Sequence, residues 1–297
     1  MTRSTRGWFT AAALLTFTSV VMGAVVCATE SGASCPNWPG CYPDQFTPAA
    51  RLSPLIEFTH RVVAAATGPA VLLAALLGRR LVDSRPRRLA WVGLAGTVAA
   101  GVFGMLTVKV GIPWWLGVVD LASALTATVA MLVARLLLTP GRVWAPAGGR
   151  AAWAAVGTLA VVHLTGLAVA GPGSFTRCLS WPLGILEADR WPLLQAARLV
   201  LTAVAMALVA LATARAARRP DLRPYGWLAA GTVVVELVLG GVLLSGAGGG
   251  GVRTAYAVAA AAVFGAVALL AARASLPVPA TAEGPLEPAL PGRLTPE

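Results

Sequence analysis

Residues 8–27 read WFTAAALLTFTSVVMGAVVC, a stretch without one charged side chain. An α-helix rises about 1.5 Å per residue, so about 20 apolar residues cross the hydrocarbon core of a bilayer. Comparable stretches recur at residues 55–77, 89–108, 114–138, 151–170, 191–214, 225–246 and 253–273. They are continuous and rich in Ala, Leu and Val rather than alternating, which favours helices over strands. The sequence therefore predicts an all-α membrane protein with eight transmembrane helices.

The composition supports this class. Of 297 residues, 57% are hydrophobic and 12% are charged, and the mean hydropathy is +0.76. Soluble domains carry roughly 25% charged residues, so this chain has too few charges to cover a water-facing surface. The formal net charge is +11, but the arginines lie between the apolar stretches rather than along one face. That distribution argues against nucleic acid as a partner and indicates a lipid bilayer.

The arginines also predict the orientation. If eight helices alternate in direction, one side of the membrane receives 16 arginines, namely Arg3, Arg6, Arg79, Arg80, Arg85, Arg87, Arg88, Arg135, Arg142, Arg150, Arg215, Arg218, Arg219, Arg223, Arg273 and Arg293. The other side receives five basic residues, namely Arg51, Lys109, Arg177, Arg190 and Arg253. Basic residues concentrate on the cytoplasmic side of membrane proteins. We therefore expect a multi-pass protein of the cell membrane with both termini in the cytoplasm.

Two segments of the chain resemble each other. AGTV at residues 95–98 recurs at residues 230–233, and a similar shift places Arg61 over Arg198. Each match is short, but their common offset predicts two pseudo-repeated four-helix bundles. The expected boundaries are an N-terminal half at residues 1–139, a cytoplasmic linker at 140–150, a C-terminal half at 151–273 and a disordered cytoplasmic tail at 274–297.

The second apolar stretch contains Glu57, His60 and Arg61. Glu57 and His60 are three residues apart and share a helix face, and His60 lies on the order of 10 Å inside the helix start. A neutral imidazole there can ligate a metal or heme iron, and a nearby carboxylate can orient a substrate or move protons. Alternatively, Glu57 pairs with Arg61 one turn away and the His60 ring bonds a backbone carbonyl.

Three further ionisable residues fall inside apolar stretches. His163 is either a second ligand or a buried imidazole bonded to a carbonyl. Asp120 is placed to pair with Arg61 or Arg198 across the bundle, while Glu236 has no evident partner.

The loop after the first stretch contains Cys35 and Cys41, which close a short loop. The charge rule places this loop outside, where thiols oxidise, so we expect a disulfide between them. Cys27 and Cys178 fall near the same surface and either pair with each other or remain free.

Three motifs resemble those of the heme A synthase family: SCPxWPxC at residues 34–41, ExxHR at 57–61 and GxxGxxxV at 101–108. Members oxidise the C8 methyl of heme O to a formyl group and so supply heme A to cytochrome oxidase. One half holds the substrate heme and the other a heme b cofactor, each between paired histidines. The resemblance implies Glu57 as the catalytic carboxylate, His60 as an axial ligand, and Cys35 with Cys41 as a pair for heme delivery or redox transfer. It implies heme O, heme O synthase and the cytochrome oxidase assembly machinery as partners.

The chain departs from this pattern in its ligands. It has two histidines, His60 and His163, where the family uses four. Val119, Ala197 and Tyr256 stand where the other ligands are expected. The missing second-half ligands argue against heme b. The resemblance favours a heme A synthase-type oxidoreductase, and the missing ligands favour a non-catalytic heme-binding protein or oxidase assembly factor. A small-solute transporter built on the same helices is a third interpretation.

Overall fold

The computed structural model describes residues 3–111, 113–141, 143–171, 177–183 and 191–276. This part of the chain holds eight long α-helices, one short 3₁₀ helix at Pro146–Gly149 and no strand. The long helices are α1 Arg3–Ala28, α2 Leu52–Gly78, α3 Ser84–Val110, α4 Trp114–Leu137, α5 Arg150–Val169, α6 Pro192–Ala217, α7 Arg223–Leu244 and α8 Gly250–Ala274. All eight are long and apolar enough to cross a membrane, which confirms the predicted eight-helix class. Most of the predicted disordered tail, residues 277–297, lies outside the described residues.

Local sequence sets several helix ends. The Asp83 side chain accepts a hydrogen bond of 2.9 Å from the Arg85 backbone N–H and caps α3. Pro192 and Pro224 stand in the first turns of α6 and α7, where a missing N–H costs no helical hydrogen bond.

The helices form two rings of four. In the first half, α1 and α3 each contact both α2 and α4, and in the second half α5 and α7 each contact both α6 and α8. The order of contacts is therefore the same in both halves, as a duplicated architecture requires. The halves meet where α1 contacts α8 and where α4 contacts α5 and α8.

Two ends of this bundle are distinguished by their residues. At one end α1 and α3 finish and α2 and α4 begin, and both disulfides lie there. We call it the disulfide end, and we call the opposite end, rich in arginine, the arginine end. The fully buried apolar core of the first half lies toward the arginine end, and its members include Phe9, Val71, Ala90, Met131 and Ala134.

Helices α3 and α4 approach closely because glycines line their contact. A Cβ added to Gly93 would lie 2.6 Å from Met131 Sδ, and one added to Gly96 would lie 2.8 Å from the Ser123 carbonyl oxygen. Neither position accepts a larger residue without a shift of α4, since small residues are what allow such close helix contact.

Candidate functional site

The loop between α1 and α2 is a compact unit at the disulfide end. Cys35 and Cys41 form the predicted disulfide, and both are fully buried. The Cys41 N–H donates to the Phe46 carbonyl at 3.0 Å, which folds the chain back on itself. The Phe46 ring packs edge-to-face on Phe58 of α2, with ring centroids 5.7 Å apart. We call residues 34–46 the disulfide loop.

Glu57 of α2 binds the disulfide loop through its side-chain carboxylate. Its Oε2 accepts hydrogen bonds from Ser34 Oγ at 3.0 Å and from the Cys35 backbone N–H at 2.9 Å. Its Oε1 forms an ion pair with Arg61 one helical turn further on. Both carboxylate oxygens are thus engaged, and the residue is only 3% exposed. Of the two sequence interpretations, the Glu57–Arg61 pair is therefore present.

Arg61 completes the attachment. Its guanidinium donates to the carbonyl oxygens of Asn37 at 2.5 Å, Gly40 at 2.9 Å and Cys35 at 2.6 Å. A planar guanidinium presents five donors in fixed directions, which suits it to several carbonyls at once. The disulfide loop is therefore bound to α2 through both members of one ion pair.

His60 lies on the same helix, but its side chain points toward α1 rather than toward the disulfide loop. A Cβ added to Gly23 of α1 would lie 3.6 Å from His60 Nε2, so the imidazole rests over the bare backbone of that glycine. The ring also interacts with the backbone of Ser19. One of the two interpretations of the sequence had the His60 ring bonded to neighbouring backbone, and the contact with Ser19 corresponds to it. Glu57, by contrast, binds the disulfide loop. The place of Gly23 beside this ring could not be predicted from the sequence, because the two residues are far apart along the chain.

In the second half, a segment of the α5–α6 connection runs inside the bundle. We call residues 178–183 the plug segment. Arg198 of α6 donates to the Ser180 carbonyl at 3.3 Å, and Tyr256 Oη of α8 donates to the Trp181 carbonyl at 3.2 Å. A Cβ added to Gly240 of α7 would lie 3.3 Å from the Leu183 side chain. The plug segment thus contacts α6, α7 and α8, and its residues 178–181 are buried.

This arrangement does not fit a heme b cofactor. The ring of Trp181 and that of Tyr256 are 3% and 1% exposed, and Tyr256 uses its hydroxyl on the plug segment. Ala197 offers no ligand atom, and the adjacent Arg198 also donates to Gln195 Oε1 at 2.9 Å and to the Val162 carbonyl at 3.2 Å. The space between these helices is occupied by the protein itself.

His163 is not brought to His60. It lies on α5 in the second half, fully buried, with its ring 5.9 Å from that of Phe264 on α8. The ring interacts with the backbone of Leu179 in the plug segment, although neither ring nitrogen meets the full hydrogen-bond geometry within the described ranges. The geometry thus gives His163 no place opposite His60 and agrees with the alternative of a buried imidazole beside a backbone group.

Two further carboxylates, Asp120 and Glu236, lie inside helices. The sequence placed Asp120 to pair with Arg61 or Arg198, and the structure does not show that pairing: Arg61 is paired with Glu57, and no ion pair of Asp120 exists among the described residues. The α2 arginine is already satisfied by the disulfide loop, which removes the need for a distant carboxylate. Glu236 on α7 is 1% exposed, and its carboxylate interacts with the backbone of Trp181 in the plug segment, although neither oxygen meets the full hydrogen-bond geometry within the described residues.

Cys27 and Cys178 form a second disulfide. Of the two alternatives that the sequence left open, pairing is the one observed. The bond joins the last turn of α1 to the plug segment and so links the two halves covalently at the disulfide end.

Comparison with known proteins places these features in a family context. The sequence model of the cytochrome oxidase assembly protein family matches residues 6–51, which cover α1 and the disulfide loop. The chain is 26% identical to the heme A synthase of Geobacillus thermodenitrificans over 263 residues, covering 80% of this chain and 81% of that protein. It is also 26% identical to the heme A synthase of Geobacillus kaustophilus (strain HTA426) over 260 residues, with the same coverage. These matches confirm the resemblance of this chain to the heme A synthase family.

Proposed function

We propose that this chain, a relative of the heme A synthases, binds heme O in its first half and oxidises the C8 methyl group toward a formyl group. One observation carries the proposal: His60 faces the interior of the first half at the disulfide end, over the bare backbone of Gly23. The fully buried apolar core of that half lies toward the arginine end, so we place the substrate beside His60, where this core does not reach. A neutral imidazole in such a place is a heme iron ligand.

The reaction has a definite balance. Conversion of a methyl to a formyl group takes one oxygen atom from water and releases four protons and four electrons. An external electron acceptor must receive the electrons, because the second half is filled by the plug segment and offers no heme b site. The protein's own contribution is to bind and orient the substrate and to accept protons.

Glu57 is the residue that we assign to proton uptake. It lies one helical turn from His60, and its hydrogen bonds to Ser34 and Cys35 connect it to the disulfide loop. A carboxylate held by charge-assisted hydrogen bonds keeps a fixed position, which a proton acceptor near the reacting methyl requires. We further propose that the disulfide end faces the cell exterior, with both termini in the cytoplasm, and that heme O arrives from heme O synthase within the membrane.

A second function is favoured by a different observation. Both oxygens of Glu57 are already engaged by Arg61, Ser34 and Cys35, as expected of a carboxylate whose role is to fix the loop. In that case the chain binds heme without converting it and serves the assembly of cytochrome oxidase. The two functions share His60 and differ in whether Glu57 is needed for chemistry.

The test is the heme inventory of the purified full-length chain from cells that supply heme O. Extracted hemes are separated by chromatography for wild type, His60→Ala and Glu57→Gln. Heme A or its hydroxylated precursor in wild type, lost in Glu57→Gln while heme O stays bound, supports the oxidation. Bound heme O without product in every sample supports the assembly role instead. Equal heme content in wild type and His60→Ala would remove the ligand on which both functions depend.

A further inference from the structure

Asp120 lies on the inner face of α4. It precedes Ala127 and Met131 by 7 and 11 residues, which is about two and three helical turns, so the three share one face. Ala127 and Met131 are the side chains of α4 that meet Gly96 and Gly93 of α3. The carboxylate therefore points toward the helices of its own half. Its neighbour Val119 is turned about 100° away and is 38% exposed.

Four residues, one from each helix of the first half, lie at a common depth below the disulfide end. Counted from the helix ends at about 1.5 Å per residue, His60 is about 12 Å deep and Asp120 about 9 Å. Gly23 of α1 and Gly104 of α3 are at about 8 and 9 Å by the same count. Gly104 follows Gly93 by about three turns, which puts it on the inner face of α3.

The order of the helices places the two polar residues, His60 and Asp120, on opposite sides of the first half. Because α1 and α3 each contact both α2 and α4, the helices α2 and α4 are diagonal in the ring. His60 and Asp120 therefore approach the interior from opposite sides, with a glycine on each helix between them. A Cβ added to Gly104 would meet nothing within 4 Å, so open space exists at this level.

Within the described ranges, Asp120 has no ion pair and no side-chain hydrogen bond that would explain a carboxylate at this position. A carboxylate in a membrane-spanning helix is costly and is retained where it meets a charged partner, water or a ligand. Glu57, the other carboxylate of the first half inside a helix, has its cation in Arg61. The open space beside Gly104 is on the side of the helix that Asp120 faces, so a partner for this carboxylate has room to bind there.

We propose that Asp120 is the second protein group at the substrate heme, presenting a carboxylate oxygen to the iron on the face opposite His60. This rests on the proposed binding of heme in the first half. An imidazole on one face and a carboxylate oxygen on the other form a weaker ligand field than two imidazoles do, and axial-ligand identity is the lever by which proteins set the state of a heme iron. The ferric complex is therefore high-spin.

The experiment uses the full chain in detergent with added hemin, read by visible absorption and electron paramagnetic resonance. Wild type is expected to give a high-spin ferric complex. Asp120→His places a second imidazole on the inner face of α4 and is expected to convert most of the bound heme to the low-spin form. Val119→His tests the neighbouring position, where the family resemblance places the ligand. Because Val119 lies on the outward face of α4, this variant is expected to leave the spectrum unchanged.

The outcomes separate this inference from the function on which it rests. A hemin complex that depends on His60 but stays high-spin in Asp120→His, or becomes low-spin in Val119→His, overturns the inference alone. A wild-type complex that is already low-spin does the same. Hemin that does not bind, or binds equally to His60→Ala, overturns the proposed heme binding and the inference together. Elution of each variant as a single size-exclusion peak shows that folding is not the variable.

Discussion

Arg61 and Arg198 have equivalent roles in the two halves of the molecule. Each extends from the second helix of its half and donates to backbone carbonyl oxygens of the loop that precedes that helix: Cys35, Asn37 and Gly40 for Arg61, and Ser180 for Arg198. The sequence repeat that aligned the two arginines thus reflects a shared structural device. The halves differ in what the bound loop does, because the disulfide loop covers the end of α2 whereas the plug segment fills the bundle.

Replacing Arg61 should loosen the disulfide loop. In Arg61→Ala, three carbonyls lose their donor and the buried Glu57 loses its cation, and breaking a buried pair on one side costs about 3 kcal/mol or more. We expect faster proteolysis within residues 34–46 and a lower melting temperature in detergent. Arg51→Ala is the control, since Arg51 is exposed just before α2 and its side chain caps nothing. Equal proteolysis of both variants would contradict the role given to Arg61.

The four cysteines should be inert to thiol reagents until reduced. All four lie in the described part of the chain and are paired as Cys27–Cys178 and Cys35–Cys41. We expect no maleimide labelling of the unfolded wild-type chain without a reductant and four labels per chain after reduction. Cys178→Ser should free one thiol, Cys27, and no other. Labelling of Cys35 in that variant would show that the pairs exchange and would argue against the assignment.

Filling the space beside His60 should lower heme content. Gly23→Leu puts a side chain against the imidazole, and Gly104→Leu puts one into the open interior. Overpacking costs about 1–3 kcal/mol, which corresponds to a loss of affinity for a bound heme of roughly 5- to 150-fold. Gly157→Leu on α5 is the matched control, because a Cβ there meets nothing within 4 Å and the position is exposed. The readout is heme per chain from absorbance, and unchanged content in both variants would place the heme elsewhere.

The second half should not gain a heme when ligands are restored. Ala197→His with Tyr256→His supplies two imidazoles where the sequence lacks them, but Trp181 and the rest of the plug segment still occupy the space. We expect the same heme content per chain as in wild type, measured as pyridine hemochrome against total protein. A second heme in the double variant would show that the plug segment is displaced more easily than its burial indicates.

The class of fold could be predicted from sequence because apolar length is a direct requirement of the bilayer. The eight apolar stretches and the repeat marked by Arg61 and Arg198 could be read from the sequence. The Cys35–Cys41 bond could be predicted because the two cysteines are close together in the chain. Whether Asp120 pairs with Arg61 could not be predicted in the same way, because the sequence of a helix does not reveal which neighbour binds its charged side chain. The sequence offered Glu57 as a nearer carboxylate for Arg61, but only the folded loop shows the three carbonyls that complete its contacts.

The plug segment was also beyond sequence reasoning. A connection between helices is normally expected on the surface, since its backbone polar groups need partners. Residues 178–183 enter the bundle because Arg198 and Tyr256 donate to their carbonyls, and nothing in the short-range pattern of Leu179 or Trp181 announces this. The absence of heme ligands at positions 197 and 256 was visible, but what replaced the heme was not.

The Cys27–Cys178 bond closes a covalent ring of chain with a sequence separation of 151, running through α2, α3, α4 and α5. A single cut at any point of that ring, including the connection between α4 and α5, leaves one molecule rather than two fragments. Two copies of the chain therefore cannot exchange halves once the bond has formed. The bond forms only after the segment beyond α5 has been delivered to the disulfide end, so the pairing of the halves is made permanent late in the life of a newly made chain.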